Sequence, residues 1–283
     1  MTASSGILSG EGPVSEAGGG PADGTVGKAL GVLDQVAAFG RPVRFSELLA
    51  ASPYPKATLF RFLQTLTSQG MLAHDPDTGC YSLGVRLVRL AHAAWNQSSL
   101  APIARPFVDA LAEEVGETIH LAQLDGAHVL YVDKRNARVP IEMFAQAGKV
   151  GPAYCTGVGK AMLAFLPPAQ LDRLIPHMSF HRFTPATLTG PDALRAELAE
   201  IARLGHAFDR EEHERGIICV AVPILSSRGS VIGAISVTSS TSRMTLTDLD
   251  RLSGRVKQIA RRIAEEAETW RFPDQQKQTR KTG

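Results

Sequence analysis

The stretch from Ser46 to Met71, SELLAASPYPKATLFRFLQTLTSQGM, decides the fold of the N-terminal part of the chain. It predicts two short helices joined by a tight turn. Ser46 is expected to cap the first helix and Pro55 to begin the second, because proline is favoured at the first helical position. Apolar side chains of the second helix fall on one narrow face, which is therefore predicted to be core. They are Leu59, Phe62, Leu63 and Leu66.

The opposite face of the second helix is polar. With Lys56 in the first turn and Thr58 on the flank, it carries Arg61, Gln64, Thr65 and Ser68. Such long or hydroxylated side chains donate hydrogen bonds to phosphates and base edges, and the N–H groups of a first helical turn attract phosphate. A helix-turn-helix, whose second helix enters the major groove of DNA, has this pattern. An ordinary helical hairpin with a solvated polar face has it too.

The flanking sequence favours the helix-turn-helix. Residues 72–83 hold two short extended runs on either side of an Asp-Pro-Asp-Thr-Gly turn, which is a strong hairpin signal. Apolar residues before the stretch recur at helical spacing and predict a first helix from about Thr25 to Phe39. Residues 24–84 are therefore predicted to form a winged helix-turn-helix domain. Its candidate DNA contacts are Arg44, Lys56, Thr58, Arg61, Gln64, Thr65 and Tyr81.

Composition sets broad limits on the protein class. The 283 residues suffice for two domains, and 44% hydrophobic with 20% charged residues is typical of a soluble globular protein. The net charge is only +2, and residues 24–95 hold seven Lys or Arg against four Asp or Glu. That local excess permits DNA binding without demanding it. Three widely spaced cysteines, at 80, 155 and 219, fit neither a disulfide framework nor a zinc site, which favours a reducing cytoplasm.

Three segments are expected to lie outside the two folded domains. Residues 1–23 are rich in Gly, Ser, Ala and Pro and predict a disordered leader, and residues 273–283 predict a flexible tail. Residues 85–98 predict an apolar linker helix that pairs with a second copy in a dimer, although packing on its own domain would also cover it. No apolar run reaches about 18 residues and no secretory signal is visible, so no membrane association is expected.

Residues 99–272 are predicted to form a second domain of mixed structure. It begins with a helix from Leu100 to Val115 and ends with a helix from Thr247 to Trp270. Between them, strands are predicted over 118–124, 128–134, 140–145, 217–224 and 230–236, and helices over 157–165 and 191–204. Mixed strands with helices on one side predict an α+β sensor domain.

The glycine-rich stretch from Gly148 to Lys160, GKVGPAYCTGVGK, invites comparison with a phosphate-binding P-loop. The match fails, because Tyr154 stands where glycine is required and Ala161 where Ser or Thr is required. A loop whose backbone approaches a small ligand as it enters a helix at Gly157 fits better, and free N–H groups there would suit a carboxylate. A tight packing turn would need the same glycines.

Residues 209–216, DREEHERG, concentrate acids, a histidine and two arginines. Metal binding or acid–base catalysis uses such groups, but ligand spacing on a regular element is absent and a solvated loop explains them as well. His120 and His128 lie on predicted strands and are expected to be ordinary side chains. Cys155 has no base partner in the sequence. We therefore expect no metal, no cofactor and no catalysis.

The chain resembles the IclR-type transcriptional regulators over roughly residues 24–272. The first half carries the resemblance in TVGKALGVLDQVAAFG, PKATLFRFLQTLTSQGML and YSLGVRLVRLA. The second half carries it in HLAQLDGAHVLYVDKRNA, AYCTGVGKAMLAFLP and FDREEHERGIICVAVPILSSRGSVIGAISVTSS. One departure is Pro53, which stands in the turn where the family usually has glycine. The resemblance implies a GAF-like second domain, a six-stranded antiparallel sheet that carries a ligand pocket.

In that family the loops of the second domain surround a small organic acid, the effector. Carried over by motif, the effector site comprises Met143, Cys155, Thr156, Gly157, Val158, Asp209, Ile217, Cys219, Ser236 and Thr238. Hydroxyls, a helix start and an aspartate would give polar anchors beside an apolar wall. Because an aspartate repels an acid, Asp209 is expected to bind a ligand hydroxyl. That favours a hydroxylated or keto acid, such as a sugar acid, and leaves aromatic acids open.

The sequence thus predicts a cytoplasmic, ligand-responsive transcriptional regulator. We expect it to bind a double-stranded DNA operator as a homodimer or a dimer of dimers and to control a catabolic operon. A sensing module whose winged region binds protein is one alternative, and a hydrolase or transferase built on residues 100–270 is another. The effector, the operator, and the choice between repression and activation stay open.

Overall fold

A computed structural model describes residues 24–98 and 100–269. Contacts divide the chain into two compact units, the first ending at Ala93 and the second beginning at Ala94. The predicted leader, 1–23, and the predicted tail, 273–283, lie outside the described residues. The architecture is α+β, with a winged helix-turn-helix domain followed by a domain built on an antiparallel sheet, and this prediction is confirmed.

The first unit contains three short strands and the helices of the predicted winged domain. In chain order its elements are α1 (Thr25–Ala38), β1 (Val43–Arg44), α2 (Phe45–Ala51), α3 (Lys56–Ser68), β2 (Leu72–Asp75), β3 (Cys80–Leu83) and α4 (Val85–Ser98). The strands form an antiparallel sheet in the order β1-β3-β2, with Leu72 opposite Leu83 in the hairpin. The boundary between the two units falls within α4.

The core of the first unit contains the face of α3 that the apolar spacing predicts. Leu59 and Leu63 are completely buried, and Phe62 and Leu66 nearly so. They pack with apolar side chains of α1, α2 and β3. The apolar spacing therefore predicts correctly which face of α3 is exposed to solvent.

Two helix starts differ by about one residue from the prediction. Helix α3 begins after Pro55 rather than at it. Helix α2 begins at Phe45, so Ser46 is not its cap. The backbone N–H of Arg44 donates to Oε2 of Glu47 at 3.0 Å, which satisfies a helix-end donor and fixes the first turn one residue earlier.

The second unit is built on six strands. In chain order its elements are α5 (Ala101–Val115), β4 (Thr118–Asp125), β5 (His128–Arg135), β6 (Val150–Pro152), α6 (Gly157–Leu163), α7 (Pro168–Leu174), α8 (Pro191–Leu204), β7 (Ala207–Arg210), β8 (Ile217–Leu225), β9 (Val231–Ser240) and α9 (Leu246–Thr269). All pairings are antiparallel, and the strand order is β6-β5-β4-β9-β8-β7. The two long hairpins β4–β5 and β8–β9 are therefore joined side by side through β4 and β9.

Helices cover both faces of this sheet, so the prediction of helices on one side is wrong. On β8, Val220 and Val222 pack with α5 and α9, whereas Cys219 and Ala221 pack with α6 and α8. Successive side chains of a strand point to opposite faces, so the alternation along β8 separates the two layers. The near-continuous apolar run of β8 is typical of a strand buried on both faces.

The strand predicted over 140–145 is also wrong. Residues 136–149 have no regular structure, and the sheet edge is formed by β6, with Leu130 opposite Val150. Pro140 has no N–H to donate to a sheet, and the N–H of Phe144 donates to a side chain instead. Helix α7 and strand β7 are short elements that the sequence analysis did not predict. Across the described ranges, every helix is too short or too polar to traverse a lipid bilayer.

Candidate functional site

The outward face of α3 carries the predicted DNA-contacting residues. Arg61, Gln64, Thr65 and Lys56 are exposed, and Thr58 is half-buried on the flank. The Thr65 hydroxyl donates to the carbonyl of Arg61 at 2.9 Å. The hydroxyl of Thr65 is thus turned toward its own helix, and the long side chains of Arg61 and Gln64 extend furthest from it.

Arg44 and Tyr81 lie on neighbouring strands but differ in exposure. Arg44 is exposed at the end of β1. Tyr81 is only 7% exposed, its ring lies 4.6 Å from that of His74, and burial raises the pKa of its phenol. The Tyr81 ring therefore belongs to the core of the first unit, which leaves little of it to reach DNA.

Two cationic side chains of the first unit have partners within it, and the two on α3 have no ion pair among the described residues. Arg41 pairs with Glu47 at 2.6 Å, and Arg86 donates to the carbonyl of Gln69 at 2.9 Å. In the part of the chain that the structure describes, neither Lys56 nor Arg61 forms an ion pair. The two cations of α3 therefore remain available to an anionic partner.

A small cavity lies on the sheet face of the second unit that α6 covers. Its volume is about 30 Å³, room for about one or two water molecules. Its lining comprises His120, Tyr131, Met143, Ala145, Thr156, Gly157, Val158, Asp209, His213, Glu214, Ile217, Cys219, Ser236 and Thr238. Nine of the ten predicted effector residues line it. The exception is Cys155, which is completely buried in the neighbouring apolar core.

Strands β4 and β9 contribute the polar floor of the cavity. His120 lies opposite Ser236 across the two strands. Nδ1 of His120 lies 3.1 Å from Oγ1 of Thr238, and the Ser236 and Thr238 hydroxyls are 3.4 Å apart. Ser236 and Thr238 thus face the same side, which the period-two pattern of a strand predicts.

His120 is a cavity residue that the sequence analysis treated as an ordinary side chain. It is 2% exposed, and its Nε2 has no hydrogen-bond partner among the described residues. Burial, and then the charge of Lys134, lower its pKa to about 3, so the ring is neutral. Its ring packs edge-on against Tyr131 at 5.4 Å between centroids. The strand pairing with Ser236 is the signal that places it here, and sequence alone does not give that pairing.

The glycine-rich stretch makes close backbone contacts with the protein itself, which is what the alternative of a tight packing turn predicts. A Cβ atom at Gly157 would lie 2.3 Å from Sγ of Cys219, and one at Gly159 would lie 2.3 Å from the carbonyl oxygen of Ala153. Both contacts are shorter than real side chains allow. These glycines therefore let α6 pack tightly on the sheet, and that packing brings Gly157 and Val158 to the cavity wall.

Asp209 and Glu212 are buried, so the solvated-loop interpretation of residues 209–216 is wrong for these two acids, whereas Arg210 and Arg215 are exposed. Asp209 is 7% exposed and its Oδ1 accepts the N–H of Glu212 at 2.8 Å. Burial, and then the charge of Glu212, raise the pKa of Asp209 to about 7. The carboxyl group is therefore partly protonated at neutral pH and can donate as well as accept a hydrogen bond.

A buried cluster of ion pairs anchors the segment 209–216. Lys160 of α6 is completely buried, and its Nζ donates to Glu212 and, at 3.1 Å, to Glu197 of α8. Arg210 reaches the same Glu197 oxygen at 2.7 Å. Because buried charges are retained only when paired, this cluster ties α6, α8 and the segment after β7 together.

His213 and Glu214 form the outer part of the cavity wall. The carboxylate of Glu214 accepts the N–H of Phe144, and the His213 ring lies 5.0 Å from the Phe144 ring. Burial lowers the pKa of His213 to about 4 and raises the pKa of Glu214. None of the lining side chains is Lys or Arg. Across the described residues, no group of His, Cys, Asp and Glu has the arrangement of a metal site.

Two family models match the chain. The one described as "Bacterial transcriptional regulator IclR C-terminal" matches residues 92–265, and "IclR helix-turn-helix domain" matches residues 25–76. The first of these alone spans more than half of the sequence.

Named regulators are similar to the chain over most of their length. XynR of Escherichia coli K12 is 31% identical over 234 residues, which cover 83% of this chain and 93% of that protein. BhcR of Paracoccus denitrificans is 33% identical over 237 residues, which cover 84% and 85%. The crystal structure of the Thermotoga maritima IclR, at 28% identity, superposes with a TM-score of 0.69 and covers 86% of this chain and 98% of its own.

Proposed function

Because the chain belongs to the IclR family of bacterial transcriptional regulators, we propose that it binds an operator through α3 and responds to a small organic acid in the cavity. The family and the named relatives are DNA-binding regulators and not enzymes, so the hydrolase or transferase alternative is wrong. Membership of this family favours a cytoplasmic regulator whose winged region binds a DNA operator rather than another protein.

The observation that carries the DNA-binding half is the exposed polar face of α3. Its apolar face is fully used in the core, while Arg61 and Gln64 are exposed to solvent. The Arg61 guanidinium lies 5.9 Å from the centre of the Phe62 ring and forms no ion pair in the described part of the chain. Arginine reads guanine and glutamine reads adenine in the major groove, and Lys56 is placed to contact phosphate. Arg44, Thr58 and Thr65 complete the proposed contact surface.

The effector half rests on the chemistry of the cavity lining. The hydroxyls of Thr156, Ser236 and Thr238 are hydrogen-bonding groups beside the apolar Met143, Val158 and Ile217. We place the carboxylate of the acid toward the backbone N–H groups of Gly157 and Val158 at the start of α6, because the Thr156 hydroxyl already donates to the carbonyl of Pro152 at 2.8 Å. A hydroxyl or keto oxygen of the acid lies toward Asp209. A partly protonated Asp209 repels an acid less than an ionised one would, which suits a hydroxylated or keto acid.

The cavity is too small to hold an organic acid without a change in its lining. Ligand sites for small molecules are usually about ten times larger than 30 Å³. An organic acid is therefore admitted only when part of the lining moves. Two segments of the lining, 136–149 and 211–216, have neither strand nor helix, and we place the movement in the longer one, 136–149. The regulated genes are then expected to form a catabolic operon for the same acid.

We further propose a homodimer formed through α4, with a dimer of dimers as its extension. Val85 is 74% exposed, Val88 67% and Leu90 49%, all on one helix of the first unit. These exposed apolar side chains are where we place the contact with the second copy. A dimer also gives two recognition helices, which a two-fold symmetric operator requires.

A gel shift with DNA from upstream of the chain's own gene tests the DNA-binding half. We expect specific binding, weakened by about 1–3 kcal/mol in Arg61→Ala if Arg61 reads a base. Arg195→Ala is the matched control, because Arg195 is an exposed arginine of the second unit that pairs with Asp172 at 2.7 Å. Equal affinity of Arg61→Ala and the parent would remove Arg61 from the interface.

A thermal-shift screen of organic acids tests the effector half. A ligand that binds only the folded protein raises its melting temperature, by an amount that grows with ligand concentration relative to Kd. We expect stabilisation by hydroxylated or keto acids. A screen in which amines or neutral sugars stabilise the protein, and acids do not, would contradict the assignment.

A further inference from the structure

Two apolar side chains interrupt the polar outward surface of α3. Ala57 is exposed, and Phe60 keeps 46% of its surface exposed although it lies mid-helix. The Phe60 ring meets the ring of Phe45 edge-on, with centroids 6.1 Å apart. An open groove runs from here toward the β2–β3 hairpin, lined by Phe45, Lys56, Ala57, Phe60, His74, Gly79 and Tyr81.

Phe60 is not needed to complete the core of the first unit. The core face of α3 is formed by its neighbours Leu59 and Phe62 and by residues one turn further on, all nearly or fully buried. Around the helix axis Phe60 lies about 100° from Leu59 and about 160° from Phe62, on the flank that faces the hairpin. Its exposed half is apolar surface that only a binding partner would remove from water.

The surroundings of this apolar strip indicate what the partner is. Ala57 and Phe60 are three residues apart and therefore adjacent on the helix surface. Lys56 lines the same groove, and Arg61 follows Phe60 directly, both without an ion pair in the described part of the chain. An apolar strip flanked by unpaired cations complements a surface that is anionic overall and carries an isolated apolar group.

We propose that Phe60, together with Ala57, contacts the C5 methyl group of a thymine in the operator. The major-groove edge of DNA presents this methyl as its apolar group, surrounded by phosphates, and Phe and Ala are side chains that contact it. The protein then selects thymine beside the base that Arg61 contacts. This inference rests on the proposed function, since it requires α3 to lie in the major groove.

The first experiment is selection of binding sites from a random duplex pool with the full-length protein. We expect the parent to enrich a two-fold symmetric motif with one thymine in each half-site that becomes degenerate in Phe60→Ala. Phe183→Ala is the matched control, because Phe183 is 42% exposed in the second unit and should leave the motif unchanged. Phe60→Leu keeps apolar contact and should retain the thymine.

The second experiment removes only the methyl group. Deoxyuridine replaces that thymine in the selected duplex, which leaves every hydrogen-bonding group of the base in place. The parent should lose about four-fold in affinity for each half-site, the equivalent of one buried methyl. Phe60→Ala should bind the thymine and deoxyuridine duplexes equally.

The outcomes separate this inference from the proposed function. If the parent enriches no motif, operator recognition itself is wrong and the inference falls with it. If the parent enriches a motif but binds the deoxyuridine duplex as tightly as the thymine duplex, only the inference is overturned. The same holds if Phe60→Ala is as sensitive to the methyl group as the parent. The measurement on the parent needs no variant, so a poorly folded Phe60→Ala protein does not obscure it.

Discussion

The carboxylate of Glu214 accepts the backbone N–H of Phe144 with both of its oxygens, at 3.0 Å to Oε1 and 2.9 Å to Oε2. Glu214 lines the cavity, and Phe144 belongs to the irregular segment 136–149 that encloses one side of it. The ammonium of Lys149 lies 4.8 Å from the centre of the Phe144 ring on the same segment. Since the cavity must enlarge to take an organic acid, this hydrogen bond contributes to the free energy of opening.

We predict that Glu214→Ala loosens segment 136–149 without unfolding the second unit. Loss of a hydrogen bond to a charged acceptor costs roughly 1.5–3 kcal/mol, which corresponds to about ten-fold or more in the opening equilibrium. Hydrogen exchange followed by mass spectrometry should show faster exchange at Phe144 and its neighbours. Glu142→Ala is the control, because Glu142 is exposed on the same segment. Unchanged exchange in Glu214→Ala would show that other contacts hold the wall.

Ser236→Ala should lower effector affinity about ten-fold or more, because it removes a hydroxyl from the cavity floor and with it a hydrogen bond to a charged ligand. Ser239 of the same strand gives a matched control. It is completely buried on the opposite face of the sheet, and its hydroxyl has no partner among the described residues. Ser239→Ala should therefore leave effector affinity unchanged and leave stability equal or slightly higher.

Calorimetry with an acid found by screening gives the affinities of both variants, and a gel shift without the acid gives their DNA binding. If Ser236→Ala binds the acid as tightly as the parent does, the effector cavity is assigned wrongly. If it loses DNA binding without any acid present, Ser236 is a structural residue and not a ligand contact.

Local periodicity was sufficient for the parts of the fold that depend on near neighbours in sequence. The buried face of α3 and the bounds of α8, Pro191–Leu204, follow from apolar spacing and from proline at a helix start. The side shared by Ser236 and Thr238 follows from strand alternation alone. Most of the effector lining came from the family resemblance, which supplied the positions that local rules do not connect.

The parts that sequence reasoning missed depend on pairing between distant segments. His120 faces the cavity because β4 lies beside β9, a contact across 118 positions in the chain. The segment 140–145 has an apolar pattern that suits a strand. The backbone N–H of Phe144 instead donates to the carboxylate of Glu214, 70 positions away in the sequence. Glu212 is charged and was expected in solvent, but Lys160 compensates its burial. No local pattern encodes these partnerships.

Lys160→Met should destabilise the second unit by about 3–5 kcal/mol, because it leaves Glu212 buried without its counter-ion. Denaturant unfolding of the variant measures this. Arg203→Met is the control, since Arg203 pairs with Glu200 on an exposed helix surface and such pairs contribute little to stability. Adding Glu212→Gln to Lys160→Met should recover part of the loss. A loss no larger than that of the control would mean that water reaches the Lys160 cluster.

Charging two exposed apolar positions of α4 should dissociate the proposed dimer. The double variant Val88→Glu, Leu90→Glu places two carboxylates on side chains that are 67% and 49% exposed, so the first unit itself should fold normally. Val139→Glu is matched in exposure, at 67%, but lies in the second unit. Light scattering should give half the parent mass for the double variant and the parent mass for the control. An unchanged mass in both would place the dimer interface elsewhere.

Asp209 makes the stability of the second unit depend on pH in a defined direction. Burial and the charge of Glu212 raise its pKa from 3.8 to about 7 in the folded protein, with Lys160 acting in the opposite direction and Glu214 in the same one. The folded state therefore binds more protons than the unfolded state between about pH 4 and 7. The contribution of this group to stability is greatest below about pH 4 and is lost as the pH rises through about 7.

Asp209→Asn removes this titration and keeps an oxygen that can accept the N–H of Glu212. Between pH 5 and pH 8 the parent loses this contribution and the variant does not, so the free energy of unfolding of the variant relative to the parent should rise by about 2–3 kcal/mol over that range. Other titrating groups, such as His120 and His213, cancel when the two proteins are compared at one pH. Asp248→Asn is the control, because the pKa of exposed Asp248 is lowered by its bond to Thr245 and stays below this pH range. Its effect should be the same at pH 5 and pH 8. If the difference between Asp209→Asn and the parent were also independent of pH, Asp209 would be ionised throughout, and the acid's carboxylate would have to bind well away from it.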